Sequence, residues 1–173
     1  KQEEKLVKLF NANDLYPDRE FQVSFTQCGI SSSYARLDFV FVTKRRIFIV
    51  EVDEKAHTLY NLTCELSRMT KIVQYIKSGP DVHKKIVFLR YNPDKMRGTS
   101  VSSSIRGEIL IDWLKNYRSR QPLEILYMFY PLTGKTLDVV DELETFKEYE
   151  HLVPVVCVYN IDDYVERYGL ETL

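Results

Sequence analysis

Apolar and polar residues alternate or cluster in patterns that predict several short strands. Residues 21–26 alternate with a period of two, which predicts a strand with one apolar face. Two runs rich in β-branched and aromatic residues, 37–42 and 47–53, flank the polar residues 43–46. This arrangement predicts a β-hairpin. The three serines at 31–33 predict a loop between the first strand and the hairpin.

Longer segments repeat apolar residues every three or four positions, which predicts helices at residues 3–11, 59–77 and 105–118. Compact apolar runs predict further strands at residues 86–90, 125–130 and 153–158, and the acidic residues 138–152 are compatible with a short helix. The resulting order of elements predicts an α/β (α+β) fold in which helices pack on a mixed sheet. No linker or repeat divides the chain, so we expect residues 1–173 to form a single domain.

The composition is that of a packed domain. Of the 173 residues, 45% are hydrophobic and 28% are charged, which excludes a disordered tail. No apolar run approaches the ~18 residues of a membrane-spanning helix, so we expect no membrane association. Three widely separated cysteines without a CxxC pair predict reduced thiols in an intracellular protein, nuclear or cytoplasmic.

Charge is unevenly distributed along the chain. Residues 1–120 carry 21 Lys and Arg against 14 Asp and Glu, whereas residues 121–173 carry 3 against 11. The basic excess suggests a polyanionic partner, with ordinary solvated surfaces as the alternative. The residues expected to follow a nucleic-acid backbone are Lys44, Arg45, Arg46, Lys84, Lys85, Arg90 and Lys95. For Arg90, which ends a predicted strand, the alternative is a structural ion pair with Asp94 or a neighbouring acid.

Two carboxylates interrupt the apolar strands of the predicted hairpin. If the hairpin turns about Lys44 and Arg45, the positions of paired residues sum to 89, which places Asp38 opposite Glu51. Their Cβ atoms would then lie roughly 5 Å apart, and both acids can ionise together only if a cation lies between them. Asp53 is two residues beyond Glu51 on the same strand face. The three acids therefore predict a site for a hard cation such as Mg²⁺.

This constellation resembles a known nuclease superfamily. Asp38, followed by Glu51-Val-Asp53 and then His57, resembles the PD-(D/E)XK nucleases, and most closely their very-short-patch-repair-endonuclease-like branch. The predicted elements also resemble the restriction-endonuclease-like αβββαβ core of that superfamily. The resemblance covers about residues 3–94 and leaves 95–173 as a C-terminal helix–strand extension.

The resemblance implies a role for each residue of the motif. Asp38 and Glu51 would hold Mg²⁺, with Mn²⁺ as a substitute. Glu3 would be the acid that the branch often carries on its first helix, with Glu4 as the competing match. The wider superfamily has Lys where this chain has Asp53, so the resemblance moves the acid–base role to His57. Lys55 is the alternative residue for that role.

Three further residues belong to the same prediction. Asp53 would orient the histidine or join the metal ligands. Glu65 and Arg68 are three apart on a predicted helix, where they would pair with each other or support the metal ligands.

The expected function is that of a metal-dependent endonuclease hydrolysing DNA phosphodiester bonds. The alternative is a catalytically inactive nuclease-fold module that binds nucleic acid or a protein partner. The expected partners are DNA and either a second copy of the chain or a larger parent protein.

Overall fold

The computed structural model describes residues 2–27, 30–54, 62–94, 102–118, 122–129 and 155–158. The helices in this part of the chain are α1 (Gln2–Asn11), α2 (Leu62–Lys77) and α3 (Ser103–Asn116). The strands are β1 (Asp18–Gln27), β2 (Ile30–Val42), β3 (Arg46–Val52), β4 (Lys85–Tyr91), β5 (Leu123–Met128) and β6 (Val155–Val158). The predicted acidic segment 138–152 lies outside the described residues.

The described strands form one mixed sheet in the order β1-β2-β3-β4-β5-β6. The first three strands are antiparallel, and β3 to β6 are parallel. The predicted α/β class is confirmed in these terms. Strands β5 and β6, which belong to the predicted extension, continue the same sheet.

The predicted serine loop is wrong. Residues 31–33 belong to β2, whose backbone pairs with β1 as far as Gln27 and Ile30. Serine has only a low propensity for β-strands, but pairing with a neighbouring strand overrides it, because β-propensity depends mainly on context. The first hairpin is therefore longer than the apolar pattern indicates.

Apolar residues form two buried clusters, one on each face of the sheet. On one face, Phe10 of α1 makes edge-to-face contacts with Phe39 and Phe41, at centroid distances of 5.2 and 5.1 Å. Trp113 of α3 belongs to the same cluster. On the other face, Ile72 of α2 is fully buried in a cluster with residues of β3 and β4. The helices thus cover the sheet from both sides. None of the described helices is long and apolar enough to cross a membrane.

Candidate metal site at the end of the hairpin

The turn between β2 and β3 fixes which residues face each other. Thr43 closes the turn, since its backbone N–H donates to the Arg46 carbonyl oxygen at 2.8 Å. Phe39 pairs with Val50, so the positions of paired residues sum to 89 as predicted. Asp38 and Glu51 are the next residues beyond that pair, at the end of the ladder.

Asp38 stands where the β2–β3 ladder ends. Its Oδ2 accepts a hydrogen bond of 2.8 Å from the backbone N–H of Val52. Burial raises the pKa of Asp38 above its ordinary value, the Val52 hydrogen bond opposes that rise, and the neighbouring Asp53 adds to it. The carboxylate is therefore oriented by the backbone in a place that disfavours its ionised form.

Two more carboxylates approach Asp38 from other elements. One oxygen each of Glu3, Glu20 and Asp38 lie within 4.8 Å of one another. Glu3 comes from the first turn of α1, and burial followed by the charges of Asp38 and Glu20 raises its pKa. The structure thus brings the sequence-predicted Glu3 to Asp38.

Glu20 was missed by sequence reasoning. It lies between Arg19 and Phe21, which pair with Phe39 and Leu37, so it stands opposite Asp38. Its backbone is left-handed, with φ of 52°, a conformation uncommon for a residue other than glycine. Neither feature has a local signal, since an acid in an alternating strand normally marks the solvent side.

Glu51 lies deeper in the protein than Asp38 and is only 5% exposed. Its two oxygens are 3.2 and 3.4 Å from Nη2 of Arg68 on α2. Burial raises the pKa of Glu51 to about 7, while Arg68 and Arg90 lower it and Asp38 raises it. Glu51 therefore faces α2, whereas Glu3 and Glu20 each bring a carboxylate oxygen within 4.8 Å of one of Asp38. Arg68 thus contacts Glu51, one of the predicted metal ligands, whereas the side chain of Glu65, its alternative partner, lies outside the described residues.

Asp53 and Arg90 form a buried ion pair. Nε and Nη2 of Arg90 donate to the two carboxylate oxygens of Asp53 at 2.6 and 3.0 Å, and the residues are 2% and 1% exposed. The predicted phosphate contact by Arg90 is wrong, because its guanidinium lies inside the protein and binds an acid. The structural ion pair, the alternative for this residue, is what the fold contains.

The remaining described basic candidates lie away from the acids. Lys44, Arg45 and Arg46 occupy the hairpin turn, and the backbone N–H of Lys85 donates to the Arg45 carbonyl at 3.0 Å. Lys84 pairs with Asp81 at 2.7 Å. These residues precede or begin β3 and β4, whereas the acids gather where β3 ends. Since the seven residues of β3 span about 20 Å, these described basic residues do not lie beside the acids.

The cations that do flank the acids are arginines of β1, β2 and α2. Arg19 pairs with Glu4 at 2.5 Å, and Arg36 pairs with Glu20 at 2.6 Å. Both side chains are well exposed. Arg68 is the third.

Some predicted residues cannot be placed. His57, Lys55 and Lys95 lie outside the described residues, as does the side chain of Glu65. The acid–base role of His57 stays a prediction.

The acidic group has the chemistry of a divalent-cation site. Carboxylate oxygens are the ligands that Mg²⁺ and Mn²⁺ prefer, and one or two of them suffice for Mg²⁺. The repulsion between crowded carboxylates is relieved when a cation neutralises them. The residues at the end of β3 therefore fit the ion that the sequence predicts.

No protein-family model, curated protein or solved structure matches the chain. The function of the protein is therefore inferred from the geometry and chemistry of this site.

Proposed function

We propose that the protein is a divalent-metal-dependent endonuclease that hydrolyses DNA phosphodiester bonds, built on a restriction-endonuclease-like core. The observation that carries the proposal is the convergence of one carboxylate oxygen each from Asp38, Glu3 and Glu20. Glu51 follows Val50, the partner of Phe39 in the last pair of the β2–β3 ladder. The described elements α1, β1, β2, β3, α2 and β4 also follow the order of that core.

The residues of the site divide the work between binding and orientation. Asp38 and Glu51 hold Mg²⁺, and Glu3 adds a carboxylate beside Asp38. The ion supplies charge stabilisation to phosphoryl oxygens and acidifies water. The Val52 N–H fixes the direction of the Asp38 carboxylate. His57, six residues after Glu51, transfers the proton.

Asp53 is positioned differently from the prediction. Both of its oxygens receive hydrogen bonds from Arg90, so this guanidinium provides a fixed positive charge where the wider superfamily has Lys. Because the pair is buried, it holds the end of β3 in place beside β4. Its role in the proposed reaction is to support the strand that carries Glu51.

The test is cleavage of supercoiled, linear and single-stranded DNA with Mg²⁺, Mn²⁺ or EDTA. We expect cleavage with the metals, none in EDTA, and loss of both cleavage and calorimetric Mn²⁺ binding in Asp38→Asn. Asp18→Asn is the matched control, because it makes the same change at an exposed position of β1. His57→Ala should slow single-turnover cleavage by about 10²- to 10⁴-fold and keep metal binding. A wild-type rate for Asp38→Asn would refute the proposal.

One observation favours the second candidate, an inactive module that binds nucleic acid. Lys44 and Arg45 are exposed at the end of the sheet opposite the acids, with Arg46, Lys84 and Lys85 beside them. A module of this kind would bind DNA in EDTA with a steep salt dependence and would not cleave it. Reversing Lys44 and Arg45 to Glu would then flatten the plot of log affinity against log salt, with metals making no difference.

A further inference from the structure

Arg68 contacts the buried carboxylate of Glu51 and is itself partly exposed to solvent. Its Nη2 lies 3.2 and 3.4 Å from the two oxygens of Glu51 and 2.8 Å from the backbone carbonyl oxygen of Arg36. The side chain of Arg68 is 28% exposed, whereas that of Glu51 is 7% exposed. The guanidinium therefore lies between a buried carboxylate and the outside.

The fold fixes the position of the Arg68 backbone but leaves its side chain able to change conformation. Met69 and Ile72, on the same helix, are buried against the sheet, so the backbone of α2 cannot shift easily. The long side chain then crosses from the helix to β3. Replacing one partner of the guanidinium requires a change of side-chain rotamer only.

A divalent cation and Arg68 need the same oxygens. A cation on Glu51 would lie within several ångströms of the guanidinium, where like charges repel strongly at the edge of a protein. Once the cation neutralises Glu51, Arg68 keeps the Arg36 carbonyl and loses its anionic partner. The guanidinium is a planar fork that matches a phosphate, and a phosphate is the anion that a DNA substrate brings to this place.

We propose that Arg68 exchanges partners during substrate binding: it neutralises Glu51 in the free protein, competes with the divalent cation for that carboxylate, and binds a DNA phosphate once the cation is bound. This inference rests on the proposed function and adds a substrate-contacting residue to it.

The first test is metal binding without DNA. Mn²⁺ is titrated calorimetrically at pH 8.5 into the wild type, Arg68→Gln, Arg68→Lys and the control Lys115→Gln. We expect Arg68→Gln to bind Mn²⁺ at least about tenfold more tightly, because a competing positive charge is gone. Lys115→Gln, which removes an equal charge from an exposed side chain of α3, should stay within about threefold of the wild type. Equal or weaker binding by Arg68→Gln would overturn the proposal.

The second test measures the affinity for a labelled DNA duplex by fluorescence anisotropy, in EDTA and in Ca²⁺, which also binds carboxylate oxygens. We expect the cation to raise the affinity of the wild type, and Arg68→Gln to lose at least about tenfold of that gain with little change in EDTA. Arg68→Lys should recover part of the gain, since it keeps the charge without the fork. A full gain in Arg68→Gln would overturn the phosphate contact.

These outcomes separate the inference from the function on which it rests. If the wild type cleaves DNA and Arg68→Gln binds Mn²⁺ with unchanged affinity, the role of Arg68 is refuted and the endonuclease function stands. If Arg68→Gln binds Mn²⁺ more tightly but the wild type cleaves no DNA, the competition is supported and the endonuclease function is refuted. If neither protein binds Mn²⁺, both are refuted. Melting temperatures identify a variant that fails to fold, and Arg68→Met, which also removes the charge, then provides the same comparison.

Discussion

The buried carboxyl of Glu51 should make the stability of the protein depend on pH. Its pKa rises from an ordinary 4.5 to about 7, chiefly through burial. A tenfold change in proton affinity is worth about 1.4 kcal/mol, so this displacement corresponds to about 3 kcal/mol. Because the folded protein binds this proton more tightly, the contribution is fully present below pH 4.5 and is lost as the pH rises through 7.

Glu51→Gln removes this titration while keeping the size of the side chain. We expect the free energy of unfolding of the variant, relative to the wild type, to increase by about 3 kcal/mol between pH 4.5 and pH 8.5. The measurement is urea denaturation in EDTA across that range. Glu108→Gln, which removes an exposed carboxyl from α3, should run parallel to the wild type. A Glu51→Gln curve parallel to the wild type would show that the carboxyl does not titrate near 7.

Two further predictions concern packing and charge in the core. Asp53→Asn and Arg90→Met should each destabilise the protein by about 3–5 kcal/mol, because either removes the bidentate ion-pair partner of a buried charge. The double variant should lose less than the sum, and strictly additive losses in urea denaturation would contradict direct pairing. Gly107→Leu should destabilise by about 1–3 kcal/mol, since even a Cβ there would lie 2.7 Å from Cδ2 of Leu9. Gly79→Leu, where the nearest atom is 3.6 Å away, should melt near the wild-type temperature.

The sequence predicted the site best where geometry is local. A short turn fixes the pairing of a hairpin, so Asp38 and Glu51 could be aligned from their positions alone. Glu20 could not be found in this way, because its place opposite Asp38 depends on a third strand and on an unusual backbone conformation. For Arg68, pairing with Glu65 or support of the metal ligands were both open from the sequence, because the choice requires knowing how α2 lies on the sheet.

The burial of Arg90 had a signal in the sequence. It interrupts an apolar strand as Asp38 and Glu51 interrupt theirs, and a charge in such a strand requires a partner. The partner, Asp53, is 37 residues away along the chain. It meets Arg90 because β3 and β4 are parallel and in register at Glu51 and Arg90.

The separation of the basic residues from the acids also follows from strand direction. Two neighbouring parallel strands begin at the same end of a sheet and finish at the opposite end. Residues 44–46 and 84–85 precede or begin their strands, whereas Asp53 follows β3. Charge composition alone carries no information on strand direction, so the predicted contact surface included both ends of the strands.

The left-handed backbone at Glu20 also bears on solubility. Strand β1 is the outer strand of the described sheet, and a regular outer strand is a template on which another chain can aggregate. The irregular backbone of Glu20 interrupts that template in its first half, and a register shift between Phe25 and Gln27 interrupts it again near its end. The same residue that brings a carboxylate to Asp38 thus makes the open edge of the sheet a poor surface for intermolecular β-pairing.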